Sequence, residues 1–172
     1  RINRIVTGIL LLLAVQARAQ YAPSAGQPGT TAIHKDSSVF VAWASSCTVV
    51  RGWQDCSDHS LGQATAGDSS YATGMADGVG IVSLGDGGMA TLTFNNPITN
   101  GPGWDFAVFE NSFSASFLEL AFVEVSSDGV NFYRFPSVSL TQDTMQISSF
   151  GSVMATQLNN LAGKYEGLYG TP

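Results

Sequence analysis

Basic side chains are scarce in this sequence. Its 172 residues include seven Lys and Arg against thirteen Asp and Glu, and the formal net charge is −6 at pH 7. A surface of this sign repels phosphate backbones and anionic lipids. The composition therefore argues against a nucleic-acid-binding protein, and we expect no nucleic acid as a partner.

Motifs of common enzyme families are also absent. The chain has no Gly-x-Ser-x-Gly elbow, no His-Glu-x-x-His and no Gly-rich phosphate loop with Lys. Its two histidines, His34 and His59, lie in segments of loop-like composition. We therefore expect a protein that is not an enzyme. Glu110, Glu119 and Glu124 leave open a glycan-active hydrolase, because such enzymes use two carboxylates.

Long helical patterns are missing after residue 19. There is no stretch rich in Ala, Glu, Lys and Leu, no heptad and no internal repeat. Short β-branched and aromatic runs alternate instead with Gly, Pro, Asn and Asp, which predicts an all-β fold, an antiparallel β-sandwich or barrel. The expected strands lie in residues 81–84, 89–94, 104–111, 117–125, 130–135, 136–140 and 145–150. Residues 38–46 are expected as a further strand or a short buried segment, and residues 155–172 as a loop.

The first nineteen residues have the pattern of a secretory signal peptide. Arg1 and Arg4 precede an apolar stretch over residues 5–15, and Ala17-Arg18-Ala19 is a small-x-small cleavage site. Cleavage would leave four basic residues against thirteen acidic ones, a net charge of −9. We expect a secreted or cell-surface protein without a membrane span in the mature chain. Residues 20–37 would be an extended leader and 38–172 one β-domain that continues past Pro172.

Cysteine is limited to Cys47 and Cys56. In an exported chain this close pair predicts a disulfide, which would contribute on the order of 2–3 kcal/mol by closing a short loop. Two cysteines alone do not make a zinc site.

An Asp- and Gly-rich segment, residues 57–80, is too long for a simple turn. We expect a bound cation, or packing of Tyr71 and Met75, to order it. Oxygen ligands suit Ca²⁺. The residues that we predict as its candidate ligands are Asp77, Asp86, Glu110 and Asn111. The alternative is that these side chains cap turns and strand ends.

Residues 117–135, "FLELAFVEVSSDGVNFYRF", predict a β-hairpin. With Asp128-Gly129 at the centre of a type I′ turn, Val125 would face Phe132 and Glu124 would face Tyr133. The first arm is apolar on both faces, as in a central strand. We expect Glu124 to have a structural partner, either Tyr133 or Arg134, and Glu119 to be solvated at the strand entrance.

The segment "VEVSSDGVNFYRF" resembles the strand–turn–strand of galactose-binding-like jelly rolls, the discoidin and carbohydrate-binding-module type. "VSLGDGGMATLTFNNPITNGPGWDFAVFENSF", together with "FLELAFVEVSSDGVNFYRFPSV", is similar to exported proteins of Gram-negative bacteria that often carry a C-terminal sorting tail. The first resemblance implies a jelly-roll sandwich. The second implies a secreted or surface β-domain, without a ligand or catalytic residues to transfer.

These features favour a non-catalytic module that binds a glycan or another cell-surface component. Sugar sites combine aromatic faces with amide and carboxylate groups. The residues that we predict for this site are Trp53, Asp55, Asp58, Tyr71, Trp104 and Asn111. A structural or adhesive domain of a larger surface protein, stabilised by the disulfide and by Ca²⁺, is the first alternative, and the hydrolase is the second.

Overall fold

A computed structural model describes residues 20–141, 147 and 151–172. Within these ranges the chain is all-β, as predicted, with three single 3₁₀ turns and no α-helix. No helix described there has the length and apolar character needed to cross a bilayer. The signal peptide prediction falls outside these ranges, as does most of the strand predicted for 145–150. The strands are β1 (Ile33–His34), β2 (Ser46–Val50), β3 (Met89–Thr93), β4 (Glu124–Val125), β5 (Tyr133–Arg134), β6 (Val138–Ser139), β7 (Leu158–Asn159) and β8 (Tyr169–Gly170), and the 3₁₀ turns are His59–Leu61, Ser69–Ala72 and Ala155–Gln157.

The strands pair into four small antiparallel sheets, β1 with β8, β2 with β3, β4 with β5 and β6 with β7. The strand predicted from the alternation in 89–94 is confirmed as β3. The strand predicted for 38–46 is displaced, since β2 begins at Ser46. Residues before it turn their rings inward without sheet pairing, so that Phe40 and Trp43 lie 5.4 and 5.2 Å from the ring of Phe109.

The core is built largely by a segment that the sequence pattern predicted as loop. One buried apolar side chain near residue 118 packs with five from the last part of the chain. The cluster consists of Leu118, Val153, Ala155, Leu158, Leu161 and Tyr165. Two strands, β7 and β8, also lie in this segment. The prediction of a loop over 155–172 was therefore wrong in part. The apolar residues there have neither a two-residue nor a helical period, because they pack from irregular backbone.

The N-terminal segment is joined to this core. Strand β1 pairs with β8 in the register Ile33 to Gly170. The Tyr21 amide donates a hydrogen bond to the Thr156 carbonyl at 3.0 Å, and the hydroxyls of Thr31 and Tyr165 are 2.7 Å apart. Residues 20–37, which were expected as a leader, thus lie against the C-terminal strands and help to position the site described below.

The predicted hairpin forms, but its register differs by one residue. Glu124 faces Arg134 and Val125 faces Tyr133. Gly129 has a φ of +71°, whereas Asp128 does not adopt positive φ, so the turn is not type I′. The Asp128 carboxylate instead accepts hydrogen bonds from the amides of Val130 and Asn131 at 2.9 and 2.8 Å, which lengthens the turn.

The predicted partner of Glu124 is confirmed as Arg134. Its Nε donates to Glu124 Oε1 at 2.8 Å. Glu119 is exposed, as expected for a residue at a strand entrance. Among the described residues, the cover on both faces that was expected for a central first arm is missing at β4, because β4 and β5 are exposed. The arm does pair with a further segment, through the bridge between Ala121 and Ala162.

Arg51 orders the long loop over residues 57–80. Its guanidinium donates to the carbonyls of Ala66 at 2.8 Å, Gly67 at 2.6 Å and Ser83. Aspartates at the starts of the two 3₁₀ turns accept from amides two residues ahead. The predicted packing of Tyr71 and Met75 is found only in part, since the Tyr71 ring lies against Gly80 but both side chains are exposed, at 59% and 49%. The Arg51 guanidinium therefore orders part of this loop through hydrogen bonds to several carbonyls.

The predicted Cys47–Cys56 disulfide is not formed in the structure, where both residues are thiols. Cys47 lies within β2 opposite Leu92. Cys56 lies in the following loop, where its thiol hydrogen-bonds the Asp86 carboxylate and its amide donates to Asp86 Oδ2 at 2.9 Å. The strand and the aspartate thus hold the two sulfur atoms in separate environments.

Candidate functional site

A polar cavity of about 260 Å³ lies where the N-terminal segment meets the C-terminal strands. We call it the Lys164 pocket. Its principal lining residues are Thr31, Trp104, Asn159, Asn160, Lys164 and Thr171. Of the six residues predicted to bind a glycan, only Trp104 lines this pocket.

Regular pairing fixes two of the lining residues. Asn159 belongs to β7, where it faces Val138 of β6. Thr171 forms an isolated bridge with Val108, with both backbone hydrogen bonds at 2.9 Å. Asn160 has a φ of +50° and donates from Nδ2 to the Pro136 carbonyl at 2.8 Å. A short polar side chain tolerates this left-handed conformation better than most others. These contacts hold the wall of the pocket in place.

Lys164 is the basic residue among those that line the pocket, and 4% of its surface is exposed. Its ammonium lies 5.6 Å from the ring centre of Tyr165 and 5.9 Å from that of Tyr21. Such cation–π contacts stabilise a charge by about 0.5–2 kcal/mol. Burial nevertheless lowers the pKa of Lys164 to about 8, because the aromatic rings replace only part of the lost hydration. The group is mostly protonated at pH 7.

Other polar groups of the pocket are available to a ligand. The Thr171 hydroxyl is buried and has no hydrogen-bond partner among the described residues. Trp104 leaves 62% of its surface exposed at the same cavity. An aromatic face, two amide side chains, a hydroxyl and an ammonium therefore converge on one concave surface. This set of groups can bind a small polyhydroxylated or anionic molecule.

A second cluster contains three of the predicted glycan-binding residues. Trp53 lies between Gln63 and Asp86 through backbone bridges. Its ring stacks on that of His59, with centroids 4.0 Å apart and planes 11° from parallel. Because His59 covers this face of the indole, that face is not available for stacking on a sugar. The cluster also includes Asp55 and Asp58, which follow in the same loop.

The carboxylates of this second cluster serve mainly their own turns. Asp55 accepts hydrogen bonds from the hydroxyl and amide of Ser57, and these bonds lower the pKa of Asp55. Asp58 caps the 3₁₀ turn His59–Leu61 through the Ser60 amide. Among the residues that the structure describes, Asp55, Cys56 and Asp86 form the group of ligand atoms close enough for one metal ion, within 4.8 Å of one another.

The four predicted Ca²⁺ ligands are not brought together. Asp86 belongs to the group just described, whereas Asp77 and Glu110 do not. Asp77 accepts from the amides of Val79 at 2.8 Å and Gly80 at 2.9 Å, which lower its pKa. This is the turn-capping alternative that the sequence left open. The predicted sugar-binding Tyr71 lies apart from both clusters, where its ring packs against Gly80.

Glu110 and Glu119 form a carboxyl pair. Burial raises the pKa of Glu110 to about 7, helped by a hydrogen bond to Glu119 and by the charge of that carboxylate. The Ser112 amide donates to Glu110 Oε2 at 2.7 Å, and this bond opposes the rise. A Cβ at Gly163 would overlap the Glu119 carbonyl, so glycine lets the backbone pass close to the pair. Asn111, which was predicted for both sites, directly follows Glu110 in the sequence.

Sequence reasoning missed the polar wall of the Lys164 pocket. Asn159, Lys164 and Thr171 lie in the segment that was predicted as loop, and their common location depends on the joining of the two chain ends. One signal was present in the sequence. Lys164 is one of only four basic residues after residue 19, and tyrosines follow it closely in "KYEGLY".

Comparisons with known proteins give no relative for this chain. No protein-family model matches it, and neither a curated protein nor a solved structure matches it with significance.

Proposed function

We propose that this protein is a secreted or cell-surface binding module, not an enzyme, and that its Lys164 pocket holds a sugar residue of a glycan. We further propose that its strand pairs belong to a β-sandwich of jelly-roll type. The observation that carries the functional proposal is the exposed indole of Trp104 beside Asn159 and Asn160 in one concave polar cavity.

The chemistry of these groups suits a sugar. A pyranose presents C–H groups that stack on an aromatic face, and its hydroxyls both donate and accept hydrogen bonds, as amide side chains do. A cavity of about 260 Å³ is slightly smaller than the usual range for ligand pockets, about 300–1,000 Å³. That size favours a single sugar unit at the end or on a branch of a glycan.

The carboxyl pair supports a binding role better than hydrolysis. Glycosidases keep their two carboxyl groups about 5 Å apart or more, so that the glycosidic bond fits between them. The Glu119 carboxylate lies close enough to Glu110 to raise its pKa by a hydrogen bond and by its charge, which favours a shared structural role for the two groups. Export is supported by the charged, apolar and small-residue pattern of residues 1–19.

A binding assay with the whole chain tests the proposal. Wild type, Trp104→Ala and Phe113→Ala would be applied to an array of bacterial and plant glycans, with hits measured by calorimetry. Loss of stacking should weaken binding by Trp104→Ala about tenfold or more. Phe113→Ala should bind like wild type, because this ring is 81% exposed and lies outside the pocket.

Two outcomes would contradict this assignment. If Trp53→Ala abolished binding and Trp104→Ala did not, the sugar site would lie in the second cluster. If no glycan bound, the structural or adhesive domain would be favoured instead. That alternative rests on large apolar side chains that the described fold leaves exposed, among them Val41, Phe113 and Val130.

A further inference from the structure

The few cations of this acidic chain can be accounted for individually. Four basic side chains lie in the described residues, and three of them have oxygen partners. Lys35 pairs with Asp36 at 2.8 Å, Arg134 pairs with Glu124 at 2.8 Å, and Arg51 donates to main-chain carbonyls. Lys164 is the fourth, and the part of the chain that the structure describes offers it no carboxylate or carbonyl partner.

An unpartnered ammonium at this depth is energetically unfavourable. Removing a cation from water is unfavourable unless an anion or hydrogen-bond acceptors replace the lost hydration. The two tyrosine rings supply only part of that replacement. The depressed pKa of Lys164 is in keeping with this deficit. The cavity in front of Lys164 gives an acceptor a route to the ammonium.

A second unsatisfied group lines the same cavity. Thr171 is buried, and its hydroxyl has no partner among the described residues. A buried hydroxyl without a partner is energetically unfavourable, because its lost hydration is not replaced. The neighbouring Thr31 hydroxyl is satisfied by Tyr165 Oη at 2.7 Å. The deficit is therefore specific to the Lys164 ammonium and the Thr171 hydroxyl.

We infer that the sugar bound in this pocket is acidic, and that its negatively charged group is recognised by Lys164 and Thr171. This inference rests on the proposed function and adds the class of sugar. A carboxylate of a uronic acid and a sulfate ester share the required chemistry, a delocalised anion with several acceptor oxygens. A charge-assisted hydrogen bond from Lys164 and a donated hydrogen bond from Thr171 would satisfy both groups at once.

The net charge of the chain is opposite in sign to the charge of Lys164 in this pocket. With an overall charge of −6, the protein repels anions at long range. Binding of an acidic sugar would therefore report the local pocket rather than general attraction to polyanions.

The test measures the preference for acid over neutral sugar with the whole chain. Glucuronate and galacturonate would be compared with glucose and galactose, and glucose 6-sulfate would separate sulfate from carboxylate. Calorimetry gives the affinities. Wild type should bind one class of acidic sugar about tenfold or more tighter than its neutral counterpart.

Three variants assign the preference to residues. Lys164→Met keeps the length of the side chain without its charge and should abolish the preference. Thr171→Val keeps the shape and should reduce acid binding about three- to tenfold. Lys35→Met removes a lysine outside the pocket and should leave the preference intact. Unchanged melting temperatures would show that each variant is folded.

The possible results separate this inference from the function on which it rests. Equal binding of acidic and neutral sugars, unaffected by Lys164→Met, would overturn the inference and leave sugar binding standing. If acetate or phosphate bound as tightly as uronic acids and Lys164→Met lost this binding, anion recognition would be supported. The proposal that the ligand is a glycan would then be overturned. Absence of any binding would overturn both.

Discussion

At the scale of single residues, the proton on Glu110 links stability to pH. The unfolded chain releases this proton near pH 4.5, whereas the folded chain holds it to about pH 7. Between these values the native state binds more protons than the unfolded state, so stability falls as the pH rises. This direction is opposite to that of the aspartates with lowered pKa values, such as Asp55 and Asp77, whose contribution is lost only in stronger acid.

We therefore predict that the free energy of unfolding decreases by on the order of 1–2 kcal/mol from pH 5 to pH 7, a figure reduced for partial solvent screening. Glu110→Gln mimics the protonated carboxyl and should flatten this decrease. Glu166→Gln is the control and should retain it. Urea denaturation at several pH values gives the comparison. A decrease that is equally steep in Glu110→Gln would contradict the claim that the Glu110 proton causes it.

The residue scale is also where sequence reasoning had mixed success. Glu124 was predicted to have a structural partner at Tyr133 or Arg134, because a carboxylate in an apolar arm needs one. Arg134 fills that role. The surroundings of Lys164 could not be predicted, since they depend on Tyr21 and Thr31, which are remote in sequence. Local pattern carries no information about such pairs.

At the scale of elements, one arginine holds the longest loop. Arg51 follows β2 directly and donates hydrogen bonds to carbonyls on both sides of the loop. Gly52 beside it is buried, and a Cβ there would overlap the Asp86 carbonyl, so the neighbouring backbone approaches closely. Glycine and arginine together let two backbone segments meet at the end of β2.

We predict that Arg51→Ala lowers the free energy of unfolding by about 2–3 kcal/mol and speeds amide exchange in residues 66–83, because several charge-assisted hydrogen bonds are lost. Arg51→Lys should recover only part of this, since one ammonium cannot span the same carbonyls. Arg134→Ala is the matched control and should cost about 1 kcal/mol or less, because its ion pair is solvent-exposed. Equal effects of the two alanine variants would refute the role of Arg51.

The sequence predicted a strand correctly where apolar and polar residues alternate. It predicted the hairpin turn incorrectly, because side-chain hydrogen bonds change the shape of that turn. The pattern "MATLTF" alternates, and β3 is found there. In the hairpin, the Asp-Gly pair suggested a two-residue turn, but hydrogen bonds to the Asp128 carboxylate favour a longer one and shift the register. Dipeptide preferences describe backbone geometry, and they do not weigh such side-chain contacts.

At the scale of the whole molecule, the two ends of the described chain form one unit. β1 and β8 pair, and Thr31 reaches Tyr165 beside the core. The Lys164 pocket lies at this junction, so its geometry depends on the core beneath it. The sequence could predict the all-β class from its short runs, but it could not predict this closure, because contacts between distant segments leave no local period.

The core residue Leu158 is the place to test that dependence. It is completely buried and sits at the start of β7, next to Asn159 of the pocket. Leu158→Ala should lower the free energy of unfolding by about 2–5 kcal/mol. Leu140→Ala should cost much less, because this side chain is partly exposed. Urea denaturation measures both. Exchange of the Tyr21 and Lys35 amides, which donate to the Thr156 and Leu168 carbonyls, reports on the closure. If the pocket is built on the core, those amides should lose protection in Leu158→Ala under conditions where Leu140→Ala keeps it. Full protection in a destabilised Leu158→Ala would mean that the junction is held together without the core.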